Sequence, residues 1–500
     1  MPRCSGNFVA LELWELMRGW VVWITALLAS AVLFARCSPE DSALAVKRFQ
    51  EQLQAVLEPL QRRAQVGVLV ADGMGRQYFR LGAESLLVPA STLKLFWSAA
   101  VLAVLGDTAT VRTRLFAEAA PDAHGVIRGN LYLVGGGDPL LGVQDLEELA
   151  AFLVRRGVRR ITGSVVADGS LFDRQRDRLV YSGDRDVVEP LPPITALGLE
   201  RNSVRVLVSV VRGRAVAQTV PVSPAFVVDV SGVRVGKRYR RRGVWLQARS
   251  RMQGKVQQIV VRGHIADAGL WSLEVPIMQP ELAAAATLWQ RLKAAGIVVE
   301  GGFAEGICPR TAVLLAERER PVLELLARVN KESDNVVAEH LFKLLGATAA
   351  GEGSDADKAR RLLQGLLARW GIPCQGCQFR DGSGLSRQNR VSAADLVALL
   401  VSLSQTPFAE SFRQSLAVAG IDGTLRRRLQ SSEACGRVWA KTGTLRNASA
   451  LAGYALTADG SPLVFALLSF GAIRNAKAVE DSVVALMARF SFCPDAAQSR

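Results

Sequence analysis

The sequence predicts an α+β fold, one mixed domain interrupted by β-rich insertions, and three observations lead to it. Helical periodicity and short apolar strands alternate at both ends of the chain. The middle, about 112–270, changes to short β-rich runs punctuated by Gly, Pro and basic residues. The length, 500 residues, exceeds what one simple core holds, so two to four domains are expected. The composition is that of a globular protein, with 49% hydrophobic and 21% charged residues, which excludes collagen-like and disordered classes.

Each element follows in order. Asp41 to Arg63 carries apolar residues at helical spacing. Two short strands follow, Val66 to Val70 and Gln77 to Leu81, with Asp72-Gly73 between them as a turn signal. Pro89 precedes a helix from about Ser91 to Leu105. In the middle, strands are expected at Leu131 to Val134, Ser164 to Ala167, Val204 to Val211, Ala225 to Val230 and Val256 to Val261. Helices return at Ala283 to Ala295, Pro321 to Leu345 and Asp357 to Trp370. Arg437 to Lys441, Ala448 to Leu456 and Leu463 to Ser469 read as strands, the last two separated by Asp459-Gly460. A final helix spans about Asn475 to Arg489. The expected division is therefore 38–111 with 271–490 as one domain, and 112–270 as inserted β-rich material.

Residues 1–37 stand apart. Trp20 to Ala35 carries no charge, follows Arg18, and is short of the ~20 residues a spanning helix needs. Ala29-Ser30-Ala31 offers a small-x-small cleavage site. We expect a signal peptide or membrane anchor and export, to a periplasm or the outer face of the cytoplasmic membrane. Met17 is an alternative start. A lipoprotein anchor at Cys37 is disfavoured by bulky Arg36 where a small residue belongs.

The seven cysteines are irregularly spaced and odd in number, unlike a disulfide scaffold. Cys374-x-x-Cys377 has no second pair, and the chain holds only three histidines, so a local disulfide or two inert thiols is preferred to a metal site. The net charge of +15 is concentrated: Arg234, Lys237, Arg238, Arg240, Arg241, Arg242, Arg249, Arg251, Lys255 and Arg262 fall in one stretch. No nucleic-acid motif accompanies them. An anionic membrane or wall surface fits an exported chain, and a solvated basic loop without a partner stays open beside it.

Three motifs carry chemistry. Ser91-Thr92-Leu93-Lys94 is S-x-x-K, Ser333-Asp334-Asn335 is S-x-N, and Lys441-Thr442-Gly443-Thr444 is K-T-G-T. Three residues apart on a helix, Ser91 and Lys94 share a face. A serine hydroxyl needs a base to become a nucleophile, and a lysine of depressed pKa can serve. Ser333 can relay a proton to a leaving amine, and Asn335 can hold a substrate amide. Thr442 and Thr444 on a strand can bind a carboxylate, with Lys441 adding positive charge and Gly443 permitting close approach. The backbone N–H groups of Ser91 and Thr444 would form an oxyanion hole. Alone each motif is weak; in this order they form the signature of penicillin-binding proteins and class A β-lactamases. His124, His264 and His340 lie in neither a G-x-S-x-G triad nor an H-E-x-x-H context. Gly135-Gly136-Gly137-Asp138 reads as a tight turn, since no Gly-Lys-Ser/Thr follows.

At these residues the chain resembles the D-alanyl-D-alanine carboxypeptidases and endopeptidases of the penicillin-binding protein 4 type, class C of low molecular mass. Gly129 to Pro139 is similar to that family's GDLYLVGxGDP segment, Asp381 to Arg390 to its DGSGLSRxNR, and Gly423-Thr424-Leu425 to its GTL. The long separation of Ser91 from Ser333 is typical of it, and the resemblance covers about 45 to 488. Asn130 stands where Asp is commoner, and the strand ending at Phe470-Gly471 lacks an expected asparagine. The resemblance implies a β-lactamase/transpeptidase-like domain built of both ends, an antiparallel sheet with helices, and two inserted β-rich domains, one nested in the other. It implies a penicillin-sensitive serine peptidase acting on peptidoglycan peptides through an acyl-enzyme on Ser91, with β-lactams as inhibitors and no metal or cofactor. A serine β-lactamase and a non-catalytic penicillin-binding scaffold are the alternatives.

Overall fold

A computed structural model describes residues 39–493, so the expected leader at 1–37, with Cys4 and Cys37, lies outside the described residues. No helix among the described residues is long and apolar enough to cross a membrane. The chain forms two compact units. The first takes residues up to 107, then 325–334 and 363 onward; the second takes 108–324 and 335–362.

The first unit is built on a six-stranded antiparallel sheet. Its strands run in the order Ala417–Val418, Val438–Leu445, Ala448–Leu456, Pro462–Gly471, Ala64–Asp72 and Gln77–Leu81. The central strands Ala448–Leu456 and Pro462–Gly471 are buried almost throughout, which explains their continuous apolar runs in place of alternation. Helices Pro39–Gln61 and Ala476–Arg489 bring Phe49, Leu53, Leu57, Val484 and Met487 to a core with Val70, Leu451 and Phe465. Helix Ala393–Ser404 packs on the same sheet and against helix Lys94–Leu105. Both Asp-Gly sites connect paired antiparallel strands, as their turn chemistry predicts.

The second unit contains four smaller sheets. One has five strands, ordered Phe303–Glu305, Val165–Asp168, Leu131–Val134, Thr110–Ala117 and Val313–Pro321. Helices Val143–Arg155 and Pro280–Ala294 share its core, including Leu146, Leu149, Leu153, Leu288 and Leu292. This unit runs past the sequence boundary at 270. Strand Leu270–Pro276 pairs with Ser203–Val211, and Val313–Pro321 pairs with Thr110–Ala117. Helical periodicity shows that Pro280–Ala294 has an apolar face but not which core that face fills.

The single helix expected over Pro321 to Leu345 is two helices, Val322–Asn330 and Asn335–Thr348. Apolar spacing continues across the gap, but Ser333 sits at φ 60°, in the left-handed region that ends a helix. The S-x-N motif occupies that break.

Candidate active site

Ser91 and Lys94 meet because the chain tightens before the helix begins. Ala90–Leu93 forms a 3₁₀ turn that runs into helix Lys94–Leu105. In a 3₁₀ turn residues three apart eclipse each other. Lys94 Nζ accordingly donates to Ser91 Oγ at 2.8 Å. Thr92 Oγ1 ties the turn back to the Pro89 carbonyl at 2.7 Å. Lys94 is wholly buried, whereas Ser91 is partly open to solvent.

A second donation fixes the amine, from Lys94 Nζ to the Ser383 carbonyl at 2.7 Å. Ser383 lies in the segment Asp381 to Arg390, whose hub is the buried Asp381 carboxylate. That carboxylate accepts from Gly384 N at 3.0 Å, Ser386 N at 2.8 Å and Asn389 Nδ2 at 2.9 Å. Trp97, on the lysine's own helix, donates Nε1 to the Asp381 carbonyl at 3.0 Å. Gly384 sits at φ 81°, and a Cβ there would stand 2.1 Å from the Ala90 carbonyl, so only glycine lets the loop back onto the nucleophile turn. Residue spacing gives this segment no role, because a backbone carbonyl leaves no side-chain signature.

The second lysine pairs with the second serine. Lys441 Nζ donates to Ser333 Oγ at 2.8 Å and to the Thr442 carbonyl at 2.9 Å. Burial first, and the nearby Lys94 charge second, hold its pKa well below the usual lysine range. The lysine expected to supply positive charge is therefore one that gives up its proton readily. The turn bearing Ser333 is anchored on three sides. Asn330 bonds Ser98 on the helix of Lys94 at 3.1 Å and Ser415 at 2.9 Å. Lys331 forms an ion pair with Asp422. Thr424 N donates to the Lys331 carbonyl at 2.9 Å, which gives the Gly423-Thr424-Leu425 segment a structural reason.

Along strand Val438–Leu445, Lys441 and Gly443 are buried while Thr442 is half-buried and Thr444 exposed, the alternation a strand imposes. Thr442 Oγ1 bonds Thr424 Oγ1 at 2.9 Å. A Cβ on Gly443 would lie 2.7 Å from the Pro89 carbonyl, so glycine lets the strand close on the nucleophile turn. Ser91, Lys94, Ser333, Lys441, Thr442, Gly443 and Thr444 all belong to the first unit. Asn335 opens the helix Asn335–Thr348 of the second, where its Nδ2 donates to Glu189 Oε2 at 2.8 Å. His340 is a packed residue, with Nδ1 at 2.8 Å from the Val336 carbonyl. Asp138 accepts from Leu140 N and from Arg320, as a structural turn does.

The arrangement offers two serine–lysine pairs beside one strand. Each hydroxyl faces a buried lysine amine placed to exchange a proton with it.

Residues 49–490 match the D-Ala-D-Ala carboxypeptidase 3 (S13) family. The chain is 31% identical over 477 residues to a D-alanyl-D-alanine carboxypeptidase of Actinomadura sp. (strain R39), covering 90% of this chain and 86% of that one. It is 26% identical over 392 residues to the D-alanyl-D-alanine carboxypeptidase DacB of Haemophilus influenzae, covering 76% and 80%. The crystal structure of penicillin-binding protein 4 from Haemophilus influenzae shares the fold, with a TM-score of 0.72 at 23% identity over 86% of this chain and 97% of that one.

Proposed function

The chain belongs to the S13 family of serine-type D-Ala-D-Ala carboxypeptidases, and within it we propose a carboxypeptidase or endopeptidase of peptidoglycan peptides that works through an acyl-enzyme on Ser91. The observation that carries this reading is the 2.8 Å contact of Lys94 Nζ with Ser91 Oγ, matched by that of Lys441 Nζ with Ser333 Oγ. Lys94 takes the hydroxyl proton as Ser91 Oγ attacks the penultimate D-alanine carbonyl. The N–H groups of Ser91 and Thr444 receive the developing oxyanion. Ser333, backed by Lys441, delivers a proton to the departing amine. Water then attacks the ester, and Ser91 recovers its proton. Digestion of purified peptidoglycan, with products identified by mass spectrometry, tests the reading: release of D-alanine or of cleaved cross-links supports it, and no product refutes it.

Thr442 and Thr444 take the free carboxylate of the departing D-alanine. A hydrogen bond to a charged group is worth about 1.5–3 kcal/mol. Thr444→Val should therefore lower kcat/KM for a free-carboxylate peptide by about ten- to a hundredfold, and less for the same peptide amidated at its C-terminus. An equal loss on both peptides would assign Thr444 to the reacting carbonyl or to the strand itself.

The protein is exported in this reading and meets an anionic envelope surface through the second unit. All ten cations between Arg234 and Arg262 are exposed. Strand Trp245–Gln253 turns Trp245, Arg249 and Arg251 outward while Leu246, Ala248 and Met252 face in. Tyr239 stacks on His264 at 4.4 Å, with the Arg238 guanidinium 4.9 Å from the Tyr239 ring centre. Arg240 is already paired with Asp267. Neutralising Arg241, Arg242, Arg249 and Arg251 together should weaken sedimentation with purified envelopes at least about tenfold at low salt. The difference should shrink as salt rises, since the Debye length is about 8 Å at physiological ionic strength. Equal binding by both forms would leave the run a solvated surface.

A further inference from the structure

On sequence alone Cys374-x-x-Cys377 lacks a third ligand; the folded chain supplies one. Cys374 Sγ, Cys377 Sγ and a carboxylate oxygen of Asp395 all lie within 4.8 Å of one another. All three residues are in the first unit. Cys377 N donates to the Cys374 carbonyl at 3.1 Å, closing a turn with Cys374 at φ 43° and Gly376 at φ 78°. The two sulfurs are not bonded to each other. Asp395 stands in the first turn of helix Ala393–Ser404, and Ser392 orients it, donating to Oδ2 from N at 3.1 Å and from Oγ at 2.6 Å. Cys377 Sγ lies 3.3 Å from that same oxygen.

The Cys377–Asp395 separation is near the edge of a tetrahedral site. Zinc bonds of about 2.3 Å to sulfur and about 2.1 Å to oxygen give an S···O edge of roughly 3.6 Å, close to the separation observed. Two thiolates exclude magnesium and calcium, which take oxygen donors, and the carboxylate disfavours cuprous copper, which selects sulfur. We propose that Cys374, Cys377 and Asp395 bind one zinc ion, with water in the fourth position. Binding releases two thiol protons, so affinity weakens in acid.

The ligands bracket the segment that serves Lys94. Gln378, next after Cys377, bridges to Arg390 through backbone bonds in both directions, at 2.8 and 3.0 Å. Between those residues lies the Asp381 hub, with Ser383 offering its carbonyl to Lys94. Asp395 follows at the far end. The ion would tie the two ends of this loop together, acting as a structural clamp and touching no reacting atom.

The test uses the full chain, reduced, incubated with zinc sulfate, desalted and analysed for metal. About one zinc per chain is expected in the wild type and none in Cys374→Ser/Cys377→Ser. Ser392→Ala, which removes the shorter of the two bonds that orient the carboxylate, should weaken binding about ten- to a hundredfold in competition with a chromophoric chelator. Cobalt in place of zinc should give a thiolate charge-transfer band that the double variant lacks. The proposal is overturned if the reduced wild type retains no zinc, or if the double variant retains as much. It is overturned equally if the cysteines are recovered as a disulfide whose reduction is followed by no uptake. The wild-type measurement decides the matter even if a variant fails to fold.

Discussion

Benzylpenicillin will leave one covalent adduct on this chain, on Ser91, and none on Ser91→Ala. A β-lactam presents a strained amide to whatever serine the enzyme uses for acylation. Ser91 is the only serine of the site that combines partial exposure with a lysine amine three residues on, at 2.8 Å. Ser333 also faces a lysine, but it stands in a turn at φ 60° and its lysine comes from a strand 108 positions further along the chain. Ser383 and Ser386 are wholly buried in the Asp381 loop. Removing a nucleophile that acts with its base as a unit costs on the order of 10⁶ in rate, so the variant should be unlabelled at any practical exposure. Intact mass followed by peptide mapping is the measurement. An adduct on another serine, or none, would refute the assignment, and absence of labelling would favour the scaffold reading. Turnover of nitrocefin separates the remaining alternative: a β-lactamase deacylates quickly, whereas a peptidase of this class keeps the adduct.

The parts of this site that were legible from the sequence are those set by local geometry. Serine and lysine three apart declare a shared face whether the turn is α or 3₁₀. Lys441, Thr442, Gly443 and Thr444 declare their alternation because a strand has a period of two. The Asp-Gly turns at 72–73 and 459–460 needed nothing beyond their neighbours. What was not legible depends on contacts distant in sequence. Residues Pro321 to Leu345 keep an apolar rhythm throughout, and the contacts with Ser98, Ser415, Asp422 and Lys441 that surround the break at Ser333 come from residues distant in sequence. Strand Leu270–Pro276 looks the same whichever sheet it joins, and its partner Ser203–Val211 is visible only once folded. The Ser383 carbonyl and the Asp395 carboxylate have roles that no spacing rule reaches, one being backbone and the other a capping residue that also meets a thiol.

Lys94→Ala should cut the rate of acylation by benzylpenicillin about 10²- to 10⁴-fold, the range a positioned base supplies, while leaving the protein folded. Alanine is the better helix former, and Lys94 is the first residue of its helix. The loss to the fold includes the bond to the Ser383 carbonyl, on the order of 1–3 kcal/mol, against the ~5–15 kcal/mol typical of a domain. A modest fall in melting temperature with near-wild-type circular dichroism is the expected accompaniment. A pH profile distinguishes loss of a base from general damage. Lys94 is the second cause, after burial, of the low pKa of Lys441. Without Lys94 the smaller of the two causes is gone while burial, the larger, remains, so the Lys441 pKa rises but stays below the ordinary lysine range. Residual acylation in the variant would then rely on Lys441 in its neutral form, and its rate should climb over a more alkaline range than in the wild type. A variant that acylates at the wild-type rate would show that another group activates Ser91. A slow variant with an unshifted profile would show that the two lysines do not sense each other's charge, and the second serine–lysine pair would have to be assigned without Lys94.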